Sequence, residues 1–322
     1  MTISLDRPNW RDEFVLSRDA RELGRTSELA REVRNKRLIP VVRGAYRYAD
    51  AVTADSIHAA DDTYLARVRA THLLNDGPLV FAGFAAAAVW GLPIVGPWPP
   101  VIQVASPFAR GGRSNATLSR SYLGGPVEVS QRDGLLVTSL PRTVVDIGRT
   151  GTFGQAVVMA DAALHGRSRI KDRLNRTGVT PAALSSELQR LGRVAGSVQC
   201  RRVITFANGA SESPGESLSR AGIHLLGLPA PELQVPFSDR KGLIGIVDFW
   251  WPTFGLIGEF DGLGKYLRDE LRNGRTTDEV VMDEKRREDR LRATGARVTR
   301  WGWTEARSLE LLGDHFRAAG LK

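Results

Sequence analysis

Apolar residues recur along this chain with two periods, and the switches between them divide it into regions. Over Ser17–Leu23 and Glu28–Lys36 the spacing is helical. Leu29 and Val33, four apart, share one face and are expected to pack on Ala20 and Leu23. Gly24 ends the first of these helices and Ser27 is placed to cap the second. The stretch Leu38–Arg47 then reads as two short strands about a turn at Arg43-Gly44. Helix, turn, helix and basic hairpin outline a winged helix-turn-helix over residues 1–50. In that arrangement the second helix enters a major groove with Arg31 and Arg34 outward, and the hairpin lays Arg43 and Arg47 against phosphates. Glu28 and Glu32 lie on the same exposed side and oppose this, so a small helical cap with a solvated charged face is the competing reading.

Residues 51–165 are rich in Ala and Val and poor in charge. The uncharged run Pro78–Ala105 is long enough to suggest a membrane span, which needs about 20 uninterrupted apolar residues. Pro93, Pro97, Pro99 and Pro100 break it, so it reads as a buried helix near Ala82–Trp90, a Pro-rich loop and a strand at Val101–Ala105. Within 133–146, Arg142, Thr143 and Asp146 are expected to form a structural hydrogen-bonded corner. Residues 166–195 read as a basic helical connector.

From residue 196 helix and strand alternate. Ser213 caps a helix with Pro214 in its first position and Glu216 where a capping box places a carboxylate. The helix runs to about Leu226 and stops at Gly227. Glu232–Phe237 and Leu243–Trp250 are expected as strands about a turn. By the period of two, Ile246, Asp248 and Trp250 share one face, and Val247 and Phe249 the other. An Asp within such an apolar strand is costly unless it is paired or binds a cation. A third strand, Leu256–Phe260, ends in Glu259 with Asp261 two residues on. The two strands thus deliver Asp248, Glu259 and Asp261 towards one place, where clustered carboxylates favour a divalent cation. Lys265 follows on a Gly-flanked loop. A long helix capped by Thr276 places Val280, Glu284, Arg287 and Leu291 on one face. Glu284 and Arg287 either pair with each other or turn to the carboxylates or a phosphate. A strand at Arg297–Trp301 and a helix capped by Thr304 close the chain.

Composition adds three constraints. The net charge is +9, from 45 Lys and Arg against 36 Asp and Glu, and most of the cations are Arg, whose forked donors suit phosphate oxygens. A GC-rich genome enriches Arg in the same way, so the charge supports a polyanionic partner without establishing one. The single cysteine, Cys200, rules out a disulfide framework or a cysteine zinc site, and the five His form no close pair. The first residues carry an acid early and no apolar segment, so no signal peptide is expected and the chain reads as cytoplasmic.

The segments Gly24–Ser27 and Val42–Tyr46, then Val80–Leu92 and Asp133–Asp146, resemble the N-terminal and middle regions of AbiEi-family antitoxins. The polar Ser and His positions usual in the first middle motif are Ala, Gly and Phe here, which argues against chemistry in that region. The stretches Val247–Phe249, Gly258–Tyr266, Glu284–Glu288 and Arg300-Trp301 resemble nuclease-like domains of the PD-(D/E)XK fold related to very-short-patch-repair endonucleases. The resemblance implies an α-β-β-β-α-β core over roughly residues 210–322. It implies Asp248 and Glu259 as ligands of Mg²⁺ or Mn²⁺, Glu216 completing the shell or holding a water, and Lys265 orienting the attacking water or neutralising the pentavalent phosphate. The family's Lys follows its Glu by two residues, and Asp261 occupies that place, with Lys265 the nearest substitute.

The expected fold class is therefore α/β, α+β overall, in four parts: a winged helix-turn-helix (1–50), an AbiEi-like middle domain (51–165), the connector (166–195) and a nuclease-like domain (196–322). The expected function is a metal-dependent DNA endonuclease in a defence or toxin–antitoxin setting, with Glu216, Asp248, Glu259 and Lys265 as its catalytic set. Asp248, Glu259 and Asp261 are its metal ligands, and Arg31, Arg34, Arg43, Arg47 and Arg287 its nucleic-acid contacts. The alternatives are a non-catalytic DNA-binding regulator or antitoxin with a degenerate nuclease fold, and a purely structural partner protein.

Overall fold

The computed structural model describes residues 9–52, 58–106, 114–122, 124, 127–166, 178–262 and 277–322. These residues form a mixed α/β structure with three sheets. Among them no helix is long and apolar enough to cross a membrane.

The N-terminal sheet is built from β1 (Phe14–Leu16), β2 (Leu38–Val42) and β3 (Ala45–Tyr48), with α1 (Ser17–Glu22) and α2 (Thr26–Arg34) between β1 and β2. Its order is β1-β3-β2 and both pairings are antiparallel. The hairpin turns at Arg43-Gly44, where Gly44 takes φ +91°, a region glycine enters at little cost. β1 escapes sequence reading because three residues cannot display an alternation. Leu23 does not pack under α2. It is the C-cap of α1 and is 68% exposed, while Leu29 and Val33 are half-buried. α2 starts one residue before Ser27, with no side-chain cap. Arg47 departs most from expectation. Strand alternation turns it inward with Ala45, and its guanidinium, 5% exposed, donates to Glu13 (2.9 Å), Asp62 (2.6 Å) and the Ala51 carbonyl (2.9 Å). It ties the N-terminal sheet to the next helix and is not placed to meet a phosphate.

That next helix is α3 (Ala59–Leu74). It leads into β4 (Val80–Phe81), α4 (Gly83–Trp90), β5 (Ile102–Ser106), β6 (Leu118–Tyr122), β7 (Val129–Arg132), β8 (Leu135–Thr138), α5 (Leu140–Thr150) and α6 (Phe153–His165). The strands form a mixed sheet ordered β6-β5-β4-β8-β7. α4 is buried from Ala85 to Trp90, which explains its lack of charge. On α5, Arg142 donates to Asp146 at 3.0 Å, and the Thr143 and Thr138 hydroxyls meet at 2.7 Å, a buried structural corner. The segment read as a connector supplies α7 (Pro181–Arg190), after which comes α8 (Ser197–Phe206). Leu184, Leu188, Cys200 and Val203 of these helices are buried in the same core as Val145 and Ile147 of α5. Glu187 of α7 reaches Arg142 at 3.5 Å.

The last region comprises α9 (Pro214–Leu225), β9 (Glu232–Asp239), β10 (Gly242–Trp251), β11 (Leu256–Phe260), α10 (Thr277–Ala293), β12 (Arg297–Trp301), α11 (Trp303–Ala306) and α12 (Leu309–Ala318). The sheet order is β12-β11-β10-β9, with β11 and β12 parallel and the other pairs antiparallel. One cluster joins Phe249, Trp251 and Trp301 to Ile223 of α9 and Phe316 of α12. Another joins Val247 and Ile257 to Leu291 of α10. Val247 and Phe249 therefore lie in different clusters, against the simple alternation. Between their pairings with Val235 and Leu233 sit Asp248 on β10 and Gln234 on β9, and Gln234 has φ +53°. The left-handed residue breaks the pleat at the position of Asp248. The final helix is also split: Thr304 lies inside α11, and Ser308 caps α12.

Middle and C-terminal regions meet where α6 packs on α9. Both oxygens of Asp161 on α6 accept from a single nitrogen, Nη2, of Arg220 on α9, at 2.8 and 3.0 Å, with both residues buried. The Asn208 N–H donates to Asp161 at 2.8 Å, and Arg220 donates to the Phe206 carbonyl at 2.8 Å. Removing one partner of such a pair leaves a buried charge uncompensated. Asp161→Ala is expected to cost about 3–5 kcal/mol, read as a lower midpoint in urea unfolding. The double replacement by apolar residues should cost less than either single change.

Candidate active site

A cleft of about 1190 Å³ opens between the two regions joined by α6 and α9, and Glu216 and Asp248 lie in its C-terminal wall. The start of α9 places Glu216 there. Ser213 caps the helix by accepting the Glu216 N–H at 3.2 Å, with Pro214 in the first turn. At Gly215 a Cβ would overlap the Phe260 ring, so glycine is what lets the first turn of α9 press onto the end of β11. The Glu216 carboxylate accepts the Glu212 N–H at 2.9 Å, one residue before the cap, and the Gln234 side-chain amide at 3.0 Å. It does not close a capping box, since the N–H it accepts is that of Glu212 and not of the N-cap Ser213, and Gln234 reaches it from the sheet.

Asp248 accepts the Phe260 N–H at 2.8 Å. Burial pushes its carboxyl up to about 7, with the charge of neighbouring Glu216 adding to the shift and the Phe260 bond opposing it. Burial also raises Glu216 above the usual carboxylate range. Two carboxylates therefore share a desolvated wall, where the Glu216 charge disfavours ionisation of Asp248.

Glu259 has a different surrounding. The pairing of Phe249 with Gly258 makes it the cross-strand neighbour of Asp248. Its two oxygens nevertheless contact Arg287 of α10 at 2.7 Å and Arg300 of β12 at 2.8 Å. Arg300 also meets Glu284 at 2.5 Å and Glu288 at 3.4 Å, and Arg287 meets Glu284 at 3.5 Å. Both readings of Glu284 and Arg287 thus hold together: they pair with each other and join the carboxylate group. Arg287, expected at nucleic acid, is engaged by Glu259 and donates to the Ile246 carbonyl at 3.0 Å. Asp261 lies past the end of β11, exposed, its N–H bonded to the Trp301 carbonyl at 2.8 Å. Lys265 and Thr276 lie outside the described residues. The structure brings Glu216 and Asp248 together and sets Glu259 among guanidinium groups. Among the described residues no group of three His, Cys, Asp or Glu side chains is arranged to hold a metal ion.

Sequence reading missed three parts of this site. Gln234 gave no signal, because a polar residue in an edge strand is ordinary. Arg300 was visible as a charge in the last strand, but its partners come from α10 and β11. The opposite wall, with Trp98 and Gln155, belongs to the middle region and carries no motif.

No family model matches the chain. It is 28% identical over 279 residues to the uncharacterized protein Rv2248 of Mycobacterium tuberculosis strain ATCC 25618 / H37Rv, an alignment covering 83% of this chain and 94% of that protein. The figures are the same for the uncharacterized protein MT2308 of strain CDC 1551 / Oshkosh. An alignment of this length runs through more than one sheet-bearing region, so the two proteins share a combination of regions and not a single module.

The raised Asp248 carboxyl gives a pH prediction. Between the ordinary value of 3.8 and about 7 the folded protein holds a proton that the unfolded chain has released. Its contribution to stability therefore falls as pH rises through that window. Asp248→Asn is expected to melt above the wild type at pH 8, with the difference shrinking as pH falls towards 4. A constant difference across the range would show that Asp248 is not the group responsible.

Proposed function

We propose that this chain is a metal-dependent DNA endonuclease, with a PD-(D/E)XK-type core over α9 to β12 and a winged helix from β1 to β3 that docks on duplex DNA. The observation that carries the reading is the desolvated pair Asp248 and Glu216 in the wall of a cleft. Clustered buried carboxylates are costly, and a divalent cation is the usual remedy. The order helix, three strands, helix, strand agrees with the nuclease core that the resemblance implies. The N-terminal order β1-α1-α2-β2-β3, with β3 between the other strands, agrees with a winged helix.

Asp248 and Glu216 fit such a cation on the chemistry of their donors: hard oxygen ligands whose repulsion it would offset. A cation held there would lower the pKa of a bound water and balance charge on the scissile phosphate. The protein's own contribution is positional. The Phe260 N–H fixes one Asp248 oxygen, and Gln234 and the Glu212 N–H fix Glu216. Glu259 would join only by exchanging Arg287 and Arg300, which would keep Glu284 and Glu288 as partners.

One observation favours a second reading, a DNA-binding regulator with a degenerate nuclease fold: Glu259, a ligand in the implied set, is already neutralised by two arginines. Incubating the purified chain with supercoiled plasmid and Mg²⁺ or Mn²⁺, beside Asp248→Ala and a chelator, separates the two. The endonuclease reading expects nicked or linear product that disappears with either control. Intact plasmid in every lane, with duplex still bound, selects the regulator.

Duplex docking makes its own prediction. Arg31, Arg34 and Arg43 are exposed on α2 and the hairpin. Replacing any one by Ala should weaken duplex binding evenly across sequences and reduce the slope of log affinity against log salt by about 1. Arg47→Ala should instead lower the melting temperature, since its partners are Glu13 and Asp62.

A further inference from the structure

We infer that the cleft holding Asp248 and Glu216 takes an unpaired DNA strand and not a duplex. This rests on the endonuclease reading and names the form of its substrate. Pockets for drug-sized ligands enclose about 300–1,000 Å³, and the cleft, at about 1190 Å³, has room for a few nucleotides between its walls. Its walls are not free to part, because α6 and α9 are held together by the buried Asp161–Arg220 pair.

The walls carry the chemistry of strand binding. Trp98 lies on the middle-region side, and Phe260 and Trp303 on the C-terminal side. Trp98 stacks on Tyr64, with ring centres 4.6 Å apart and planes at 9°, and its indole N–H donates to Asp61 at 2.8 Å. Trp303 meets Phe260 edge-on at 5.2 Å, and its N–H donates to the Gly262 carbonyl at 3.3 Å. Both indoles are thus rigid and partly exposed, and both have spent their donors within the protein. They offer a ligand ring faces, which suits bases of any identity. Arg307, exposed in the same cleft, lies over one face of Trp303 with its guanidinium carbon 4.8 Å from the ring centre, which leaves the other face for a base and sets a cation nearby for the strand's phosphates.

The acids at the base of the cleft set the orientation of the strand. Asp61, Glu216 and Asp248 repel phosphates whose charge no cation offsets, so away from the scissile phosphate the bases lie against the aromatic walls and the backbone runs past Arg307. Removing the Asp248 charge should therefore strengthen strand binding while preventing any cleavage.

The test uses the full chain carrying Asp248→Asn and two fluorescent DNAs of one sequence, a 12-nucleotide single strand and its duplex, read by anisotropy. In that background Trp303→Ala and, separately, Arg307→Gln are each expected to weaken single-strand binding about tenfold or more and to leave duplex binding unchanged. Trp98→Leu, on the opposite wall, is a second probe should Trp303→Ala melt early. Folded variants that bind the single strand as before, or lose strand and duplex equally, overturn the inference. Cleavage of duplex plasmid by the otherwise wild-type chain is read separately. If it occurs and is unchanged by Trp303→Ala, the strand inference fails and the endonuclease reading stands. If Trp303→Ala abolishes strand binding but no DNA is cut under any condition, the strand site stands and the endonuclease reading fails.

Discussion

The buried ion pair between Asp161 and Arg220 carries the geometry of the cleft. Removing two charges from water costs several kcal/mol each. Here the cost is offset by the contact of Arg220 Nη2 with both carboxylate oxygens and by two further hydrogen bonds, from the Asn208 N–H and to the Phe206 carbonyl. Such a network tolerates little sliding of α6 against α9. Each of these helices presents its first turn to the cleft, α6 with Gln155 and α9 with Glu216. The distance between the walls is thus fixed by an interaction that touches neither.

The same economy governs the carboxylates of the C-terminal sheet. Asp248 and Glu259 are neighbours across two strands, yet they meet opposite electrostatics. Arg287 and Arg300 supply Glu259 with two guanidinium groups. Asp248 meets a backbone N–H and the charge of Glu216, and its proton affinity rises. Helix α10 brings positive charge to one part of the sheet, and α9 brings negative charge to another.

The N-terminal sheet is attached by comparable means. Arg47 of β3 grips Glu13 and Asp62, so a residue with the sequence position of a phosphate contact instead joins two regions. Arg31, Arg34 and Arg43 of α2 and the hairpin tip remain exposed.

Much of this was legible in the chain itself. The helix opened by Ser213 and Pro214, the strands Leu256–Phe260 and Arg297–Trp301, the buried helix ending at Trp90 and the turn at Gly44 depend on neighbours within a few residues, and caps, periodicity and glycine report such neighbours directly. The presence of acids in apolar strands likewise pointed to Asp248 and Glu259 before any geometry was known. Which charge each acid would meet was decided only by tertiary structure. The partners of Glu259 lie on α10 and β12, that of Asp161 on α9, and those of Arg47 on either side of the N-terminal sheet. The pleat broke at Asp248 because of a residue on another strand. Local patterns determine which elements form, because their energies are set by residues close in sequence. Burial and charge pairing are decided by residues brought together from afar, and a linear pattern holds no record of those distances.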